Sequence, residues 1–283
     1  MHVLLAYLGM VLLWATTPLA IKWSVDGLGV LPSITARMSV GLVCLLALSL
    51  FFHKRLPFTR TAVLAYLAVA VQMYGAMVVV YWAAQFIPSG WISVISGLAP
   101  LITAVFAALW LHERSLTIGK LLSYVIGLAG LFIMFGSAGK LNSTAALGIF
   151  GVLGSLVLQA LSAIGMKRVR SKLPVLSQVT GGLLISLPLY FATCAAFDQH
   201  LPQQFSLISF LSMLYLGVIA TPAGFFLYYY LLSKRSATQV ALISLASPVL
   251  ALWLGHSVNH EPMTLQIIIG TTLILLALIS HNR

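Results

Sequence analysis

The sequence holds four carboxylates, Asp26, Glu113, Asp198 and Glu261, and each falls at the end of an apolar stretch. His112-Glu113 and His260-Glu261 each begin like the zinc-protease pattern H-E-x-x-H, in which two histidines one helical turn apart hold the metal. The closing positions are Leu116 and Thr264, so the second ligand is missing. The histidines, His2, His53, His112, His200, His256, His260 and His281, also gather at stretch ends, and no proton relay along a helix is visible. Cys44 and Cys194 each lie within an apolar run, which suits neither a disulfide scaffold nor a zinc site. There is no nucleophile elbow and no pair of buried aspartates. The chemistry to expect is therefore recognition by neutral polar groups and one arginine. No catalysis, metal or cofactor is expected.

The elements that must position those groups follow from composition. The 283 residues are 61% hydrophobic and 7% charged, and the mean hydropathy is +1.07. A soluble domain carries about 25% charged residues, so the solvent of this chain must be lipid. Apolar stretches define ten spans, at about 3–23, 30–52, 61–86, 89–111, 118–136, 147–166, 175–197, 205–232, 237–255 and 264–280. Spans of about 20 residues with short loops must be helices, because backbone amides in hydrocarbon need internal partners. The first span has no basic residue before it and carries Trp14 and Pro18, unlike a secretory leader.

The formal charge is +11. With a cytoplasmic N-terminus, Lys54, Arg55, Arg60, Arg114, Lys120, Lys167, Arg168, Arg170, Lys172, Lys234, Arg235 and Arg283 fall on the cytoplasmic side, and Lys22 and Lys140 on the other. That bias places both termini in the cytoplasm. The excess charge orients the helices and is not a nucleic-acid footprint.

The two halves repeat. Ile95, Ser96, Pro100 and Glu113 recur 148 positions later as Ile243, Ser244, Pro248 and Glu261, and Tyr81 recurs as Tyr229. At slightly shorter offsets Lys22 pairs with Lys167, Trp14 with Gln159 and Gly41 with Gly182. Five spans per half is an odd number, so the second half, 141–283, inserts upside down relative to the first, 1–140. That is an inverted-topology repeat, the architecture of alternating access.

Pro100 and Pro248 sit halfway through their spans. Each frees the carbonyl four residues earlier, on Ser96 and Ser244. Two polar helix breaks near a pseudo-twofold axis could line a substrate site and serve as bending points; tight helix packing on small residues is the other reading. Pro222, beside Thr221, is a further break. Tyr74 and Tyr81 share one helical face, with Gln72 and Thr221 near mid-depth. Tyr81 and Tyr229 are candidate gates on opposite sides of the site. Trp91 and Gln159 are further polar groups inside spans, where an unpaired donor is costly. Arg37 lies within the second span. It can contact an anion or zwitterion, or else snorkel to the surface or brace neighbouring carbonyls.

These features together resemble the drug/metabolite transporter superfamily, in particular its EamA-like members. The family pattern Trp-Gly-x-Asn, with Lys eight residues after the Trp, is similar to Trp14, Ala15, Thr16, Thr17 and Lys22. The family's Arg early in the second span resembles Arg37, and its Pro with a later acidic residue resembles Pro100 with Glu113 and Pro248 with Glu261. Ala15 stands in place of the Gly, and Thr17-Pro18 in place of the Asn. The resemblance adds Trp14 and Thr17 to the substrate-facing candidates and Pro18 to the helix breaks. It implies a bacterial-type inner-membrane exporter of a small organic metabolite, amino-acid-like or similarly amphipathic. An organic-cation exporter with an aromatic site and a non-transport helical membrane protein are the alternatives.

Overall fold

The computed structural model of the chain describes residues 3–111, 119, 122–123, 125–130, 132–133, 144–197, 206–241 and 247–281. Among them the fold is all-helical, with no strand. The helices are α1 (Val3–Leu28), α2 (Val30–Phe51), α3 (Arg60–Ala83), α4 (Ser89–Leu111), α5 (Ala145–Val169), α6 (Val175–Phe197), α7 (Leu207–Lys234), α8 (Ala237–Ala241), α9 (Ser247–Asn259) and α10 (Leu265–His281). Seven of these, α1 to α7, are long and apolar enough to cross a membrane. The expected fifth span is described only in part, and what is described of it is helical. Ser123 there meets Ser280 of α10 at 2.8 Å. Glu113, Ser244 and the expected boundary between the halves at 140/141 lie outside the described residues.

Local chemistry sets the ends. The Thr59 hydroxyl accepts from the amide of Ala62 at the start of α3, and the Ser206 hydroxyl accepts from the amide of Ser209 at the start of α7. A single residue, Gly29, separates α1 from α2. Its φ of 78° is open to glycine and strained for most other residues.

Three helices are interrupted. α4 pauses at Gly97 and Leu98, then resumes at Ala99. Pro100 cannot donate to the carbonyl of Ser96, and this is the break expected from the sequence. α3 is π-helical at Val71–Ala76, and α7 at Leu216–Ala220. Neither π segment was expected.

Two of the long-range helix pairings are reciprocal. α2 packs on α7, where a Cβ on Gly41 would stand 2.6 Å from Thr221 Cγ2. α6 packs on α3, where a Cβ on Gly182 would stand 2.3 Å from Val69 Cγ1. Gly41 and Gly182 are the offset-matched glycines of the sequence, and here they make matching close approaches.

Hydrogen bonds show which loops share an end. The Ser177 hydroxyl donates to the carbonyl of Arg55, Lys167 donates to the carbonyl of Arg235, and the Tyr7 hydroxyl donates to the carbonyl of Gln239. Among the described residues this end gathers Lys54, Arg55, Arg60, Lys167, Arg168, Arg170, Lys172, Lys234 and Arg235. At the other end Lys22 donates to the carbonyl of Ile87, and Trp23 Nε1 donates to Asn259 Oδ1 at 2.9 Å.

Candidate functional site

Between the two ends α1, α2, α3, α4, α5, α7 and the first residue of α9, Ser247, enclose a cavity of about 120 Å³. Its wall carries Trp14 and Thr17 from α1, Arg37 from α2, Gln72 from α3, Ser93 and Ser96 from α4, Gln159 from α5, and Phe225 and Tyr228 from α7. A void of about 150 Å³ holds a benzene-sized guest, so this one suits a compact solute.

The arginine is the electrostatic centre. Arg37 is only 3% exposed. Its Nε donates to Thr221 Oγ1 at 2.9 Å and its Nη1 to the Tyr81 hydroxyl at 3.2 Å. The Tyr81 ring centroid lies 5.7 Å from Cζ. Both partners are neutral. The second terminal nitrogen, Nη2, makes no hydrogen bond among the described residues, and the side chain lines the cavity. Of the readings open from the sequence, burial excludes snorkelling, and the partners found are hydroxyls and not carbonyls: the guanidinium is held inward by α3 and α7.

A second tyrosine mirrors the first. Tyr229, 1% exposed, donates to Gln72 Oε1 at 2.9 Å and lies 2.7 Å from the Ser162 hydroxyl. Tyr81, Thr221 and Tyr229 thus support the cavity wall from behind. Trp14 stacks on Tyr228 with centroids 6.0 Å apart, and Tyr228 meets Tyr229 edge to face at 5.0 Å. The Ser96 hydroxyl is turned back to the carbonyl of Ile92, whereas the Gln159 amide makes no hydrogen bond among the described residues and faces the cavity. Pro18 lines the cavity as well.

Several expected residues stand elsewhere. Tyr74 is not on the cavity: its hydroxyl pairs with Thr193 Oγ1 on α6 at 2.5 Å, and its ring packs edge to face on Tyr190. The sequence put Tyr74 and Tyr81 on one face. The π segment adds backbone between them and shifts the helical phase, so Tyr74 turns towards α6 while Tyr81 meets Arg37. Trp91 is fully buried without a partner for its Nε1. Pro100 and Pro248 are buried in α4 and α9, and Pro222 lines a separate lateral groove.

Sequence reasoning did not single out Glu261 as a site residue. Its Oε1 accepts from the amide of Ser89 at 2.8 Å and from Asn259 Nδ2 at 3.0 Å, and its Oε2 accepts from the amide of Gly90 at 3.1 Å. A carboxylate thus caps the N-terminus of α4, where amides are orphaned and the helix dipole is positive. The recurrence of Glu after Pro was the signal for it; the partner, 172 positions away, was not readable.

The geometry is that of a small, partly polar cavity within a bundle of membrane-spanning helices. The model of the EamA-like transporter family matches the chain twice, at residues 1–136 and 146–282. The chain belongs to the EamA-like transporter family. Transporters of this family are not generally enzymes. Curated EamA-like relatives include the uncharacterized transporter YoaV of Bacillus subtilis (strain 168), 26% identical over 96% of this chain and 94% of that protein. A probable terminal-alkyne amino-acid exporter of Streptantibioticus cattleyicolor is 25% identical over 87% of this chain and 83% of that protein. The uncharacterized inner membrane transporter YedA of Escherichia coli (strain K12) is 25% identical over 92% and 83%. A crystal structure of another protein has the same fold, with a TM-score of 0.73 at 18% identity over 98% of this chain and 96% of that one. The chain is thus a multi-pass membrane transporter of the EamA-like kind.

Proposed function

We propose that this EamA-like transporter carries a compact zwitterionic metabolite, amino-acid-like in its charged end, through the central cavity by alternating access. The observation that carries this reading is Arg37. A buried guanidinium costs several kcal/mol in an apolar surrounding unless its charge is answered, and its two partners here are neutral hydroxyls. A substrate carboxylate at Nη2 would answer it, and the aromatic wall of Trp14, Phe225 and Tyr228 would take the rest of the solute. The same charge repels an organic cation and weighs against that alternative.

The two family matches and the reciprocal glycine approaches support two five-span halves of inverted topology, 1–140 and 141–283. In this reading Tyr81 and Tyr229 gate from behind the wall, each holding a lining group, Arg37 or Gln72, on a helix that moves against its own. The basic end faces the cytoplasm, with both termini there, by the positive-inside rule, in a bacterial inner membrane. Export is favoured by the relative named as an amino-acid exporter.

Flux into proteoliposomes from a panel of amino acids, nucleosides and quaternary amines tests the reading. Zwitterionic amino acids are expected to move, Arg37→Gln to abolish that flux and Arg37→Lys to retain a fraction of it. Flux confined to quaternary amines, or amino-acid flux untouched in Arg37→Gln, would overturn it.

A further inference from the structure

A second hollow, of about 700 Å³, lies on the flank of the bundle between α2, α6 and α7 at the basic end. Leu48 of α2, Phe52 just past its end, Val175 and Leu176 of α6, and Pro222 and Phe226 of α7 help make an apolar trough, which Val218, Ile219 and Ala223 complete. Phe226 and Tyr230 stack along one wall, 6.3 Å apart and 13° from parallel. Leu48, Phe52, Val218 and Ile219 are exposed, which within spans means exposed to lipid. The charged residue at the mouth is Lys54. Arg55 follows it, and Lys172 stands two positions before Pro174, which also lines the trough. The described acids, Asp26 and Glu261, belong to the opposite end of the bundle.

We infer that this groove is a binding site for one anionic phospholipid, with an acyl chain in the trough and the phosphate at Lys54. The charge complementarity selects the occupant. Basic pockets between membrane helices on the cytoplasmic side take acidic headgroups, and a tyrosine at the mouth suits the headgroup level. The trough bears on a weak stretch of α7: the π segment Leu216–Ala220 is followed by Pro222, which cannot donate to the carbonyl of Val218. The inner face of that stretch belongs to the transport cavity. Ala220, Gly224 and Phe225 line it, and Thr221 holds Arg37. One layer of helix therefore separates the lipid chain from the arginine, and an occupied groove braces the stretch of α7 whose Thr221 holds Arg37.

Native mass spectrometry of the full chain tests this. The purified protein is mixed with equal amounts of phosphatidylglycerol and phosphatidylcholine of the same acyl chains. Wild type is expected to retain one phosphatidylglycerol several-fold over phosphatidylcholine. Lys54→Gln should lose the preference and still bind lipid, and Ala223→Trp, which puts a bulky ring into the trough where the acyl chain would lie, should weaken the retention of lipid. Arg60→Gln, exposed at the same end but off the groove, should behave as wild type. Equal retention of both lipids by wild type, or the same selective retention in both groove variants, would overturn the assignment. So would an equal loss of preference in Arg60→Gln, because the charge effect would then be diffuse.

Discussion

The two ends of the helix bundle are tied together by different physics. Around Glu261 the closure is directional: one carboxylate takes the amides of Ser89 and Gly90 and the Asn259 side chain, joining α9 to the first turn of α4. Towards the basic end the closure is aromatic: Trp14 stacks on Tyr228, and Tyr228 meets Tyr229 edge to face. Charge-assisted hydrogen bonds depend steeply on geometry, so the Glu261 end should behave as a latch, held or released as a unit. Stacked rings tolerate sliding, so the aromatic end should yield by degrees. One end should therefore release all at once and the other by degrees.

Substitutions can break that contrast in order of effect. Glu261→Ala removes three charge-assisted bonds and orphans the α4 amides, and should cost about 3 kcal/mol. Thermal unfolding in detergent checks the loss, and hydrogen exchange should speed up at Ser89 and Gly90 ahead of the rest of α4. Gly255→Ala comes next. Its Cβ would sit 2.5 Å from Glu261 Oε2, so the carboxylate must move, at about 1–2 kcal/mol, with the same exchange signature in weaker form. Trp14→Leu keeps an apolar side chain but loses the stack and part of the bulk, for about 1 kcal/mol; a cysteine at Thr17 should then label faster from the basic end, while exchange at Ser89 stays as in wild type. Tyr228→Phe keeps the ring and removes a hydroxyl that makes no hydrogen bond among the described residues, and should change stability by less than about 0.5 kcal/mol. A Trp14→Leu effect equal to that of Glu261→Ala on exchange at Ser89 would mean that the ends are one cooperative closure, and the contrast would fail.

The membrane helices were legible because hydrocarbon leaves the backbone no other solution. α1, α2, α4 and α6 fall close to the apolar limits read from the sequence, and the break before Pro100 follows from a missing N–H. The π segments were not legible. The first is held by a tertiary contact, the Tyr190 hydroxyl donating to the carbonyl of Met73, and no local spacing announces it. That hidden segment is also why Tyr74 was misplaced on the cavity face. Arg37 was found by type and depth, but its inward hold depends on Thr221 and Tyr81, 184 and 44 positions away. Trp14, Thr17, Gln72, Ser96 and Gln159 do line the cavity, for they are polar or amphipathic groups in spans that offer them few other surroundings.

The close approaches at Gly41 and Gly182 bear on how such a chain can change over generations. A β-carbon at Gly182 meets Val69, and one at Gly41 meets Thr221, in each case nearer than atoms can stand. Growth on one side is therefore admissible only after shrinkage on the other, so these positions should drift as couples, with Gly182→Ala rescued by Val69→Gly, which removes both the Cγ1 and the Cβ that the new methyl would meet. Since the two couples share no residue, each can be rewritten without consulting the other, and the two seams can diverge in sequence while both stay tight.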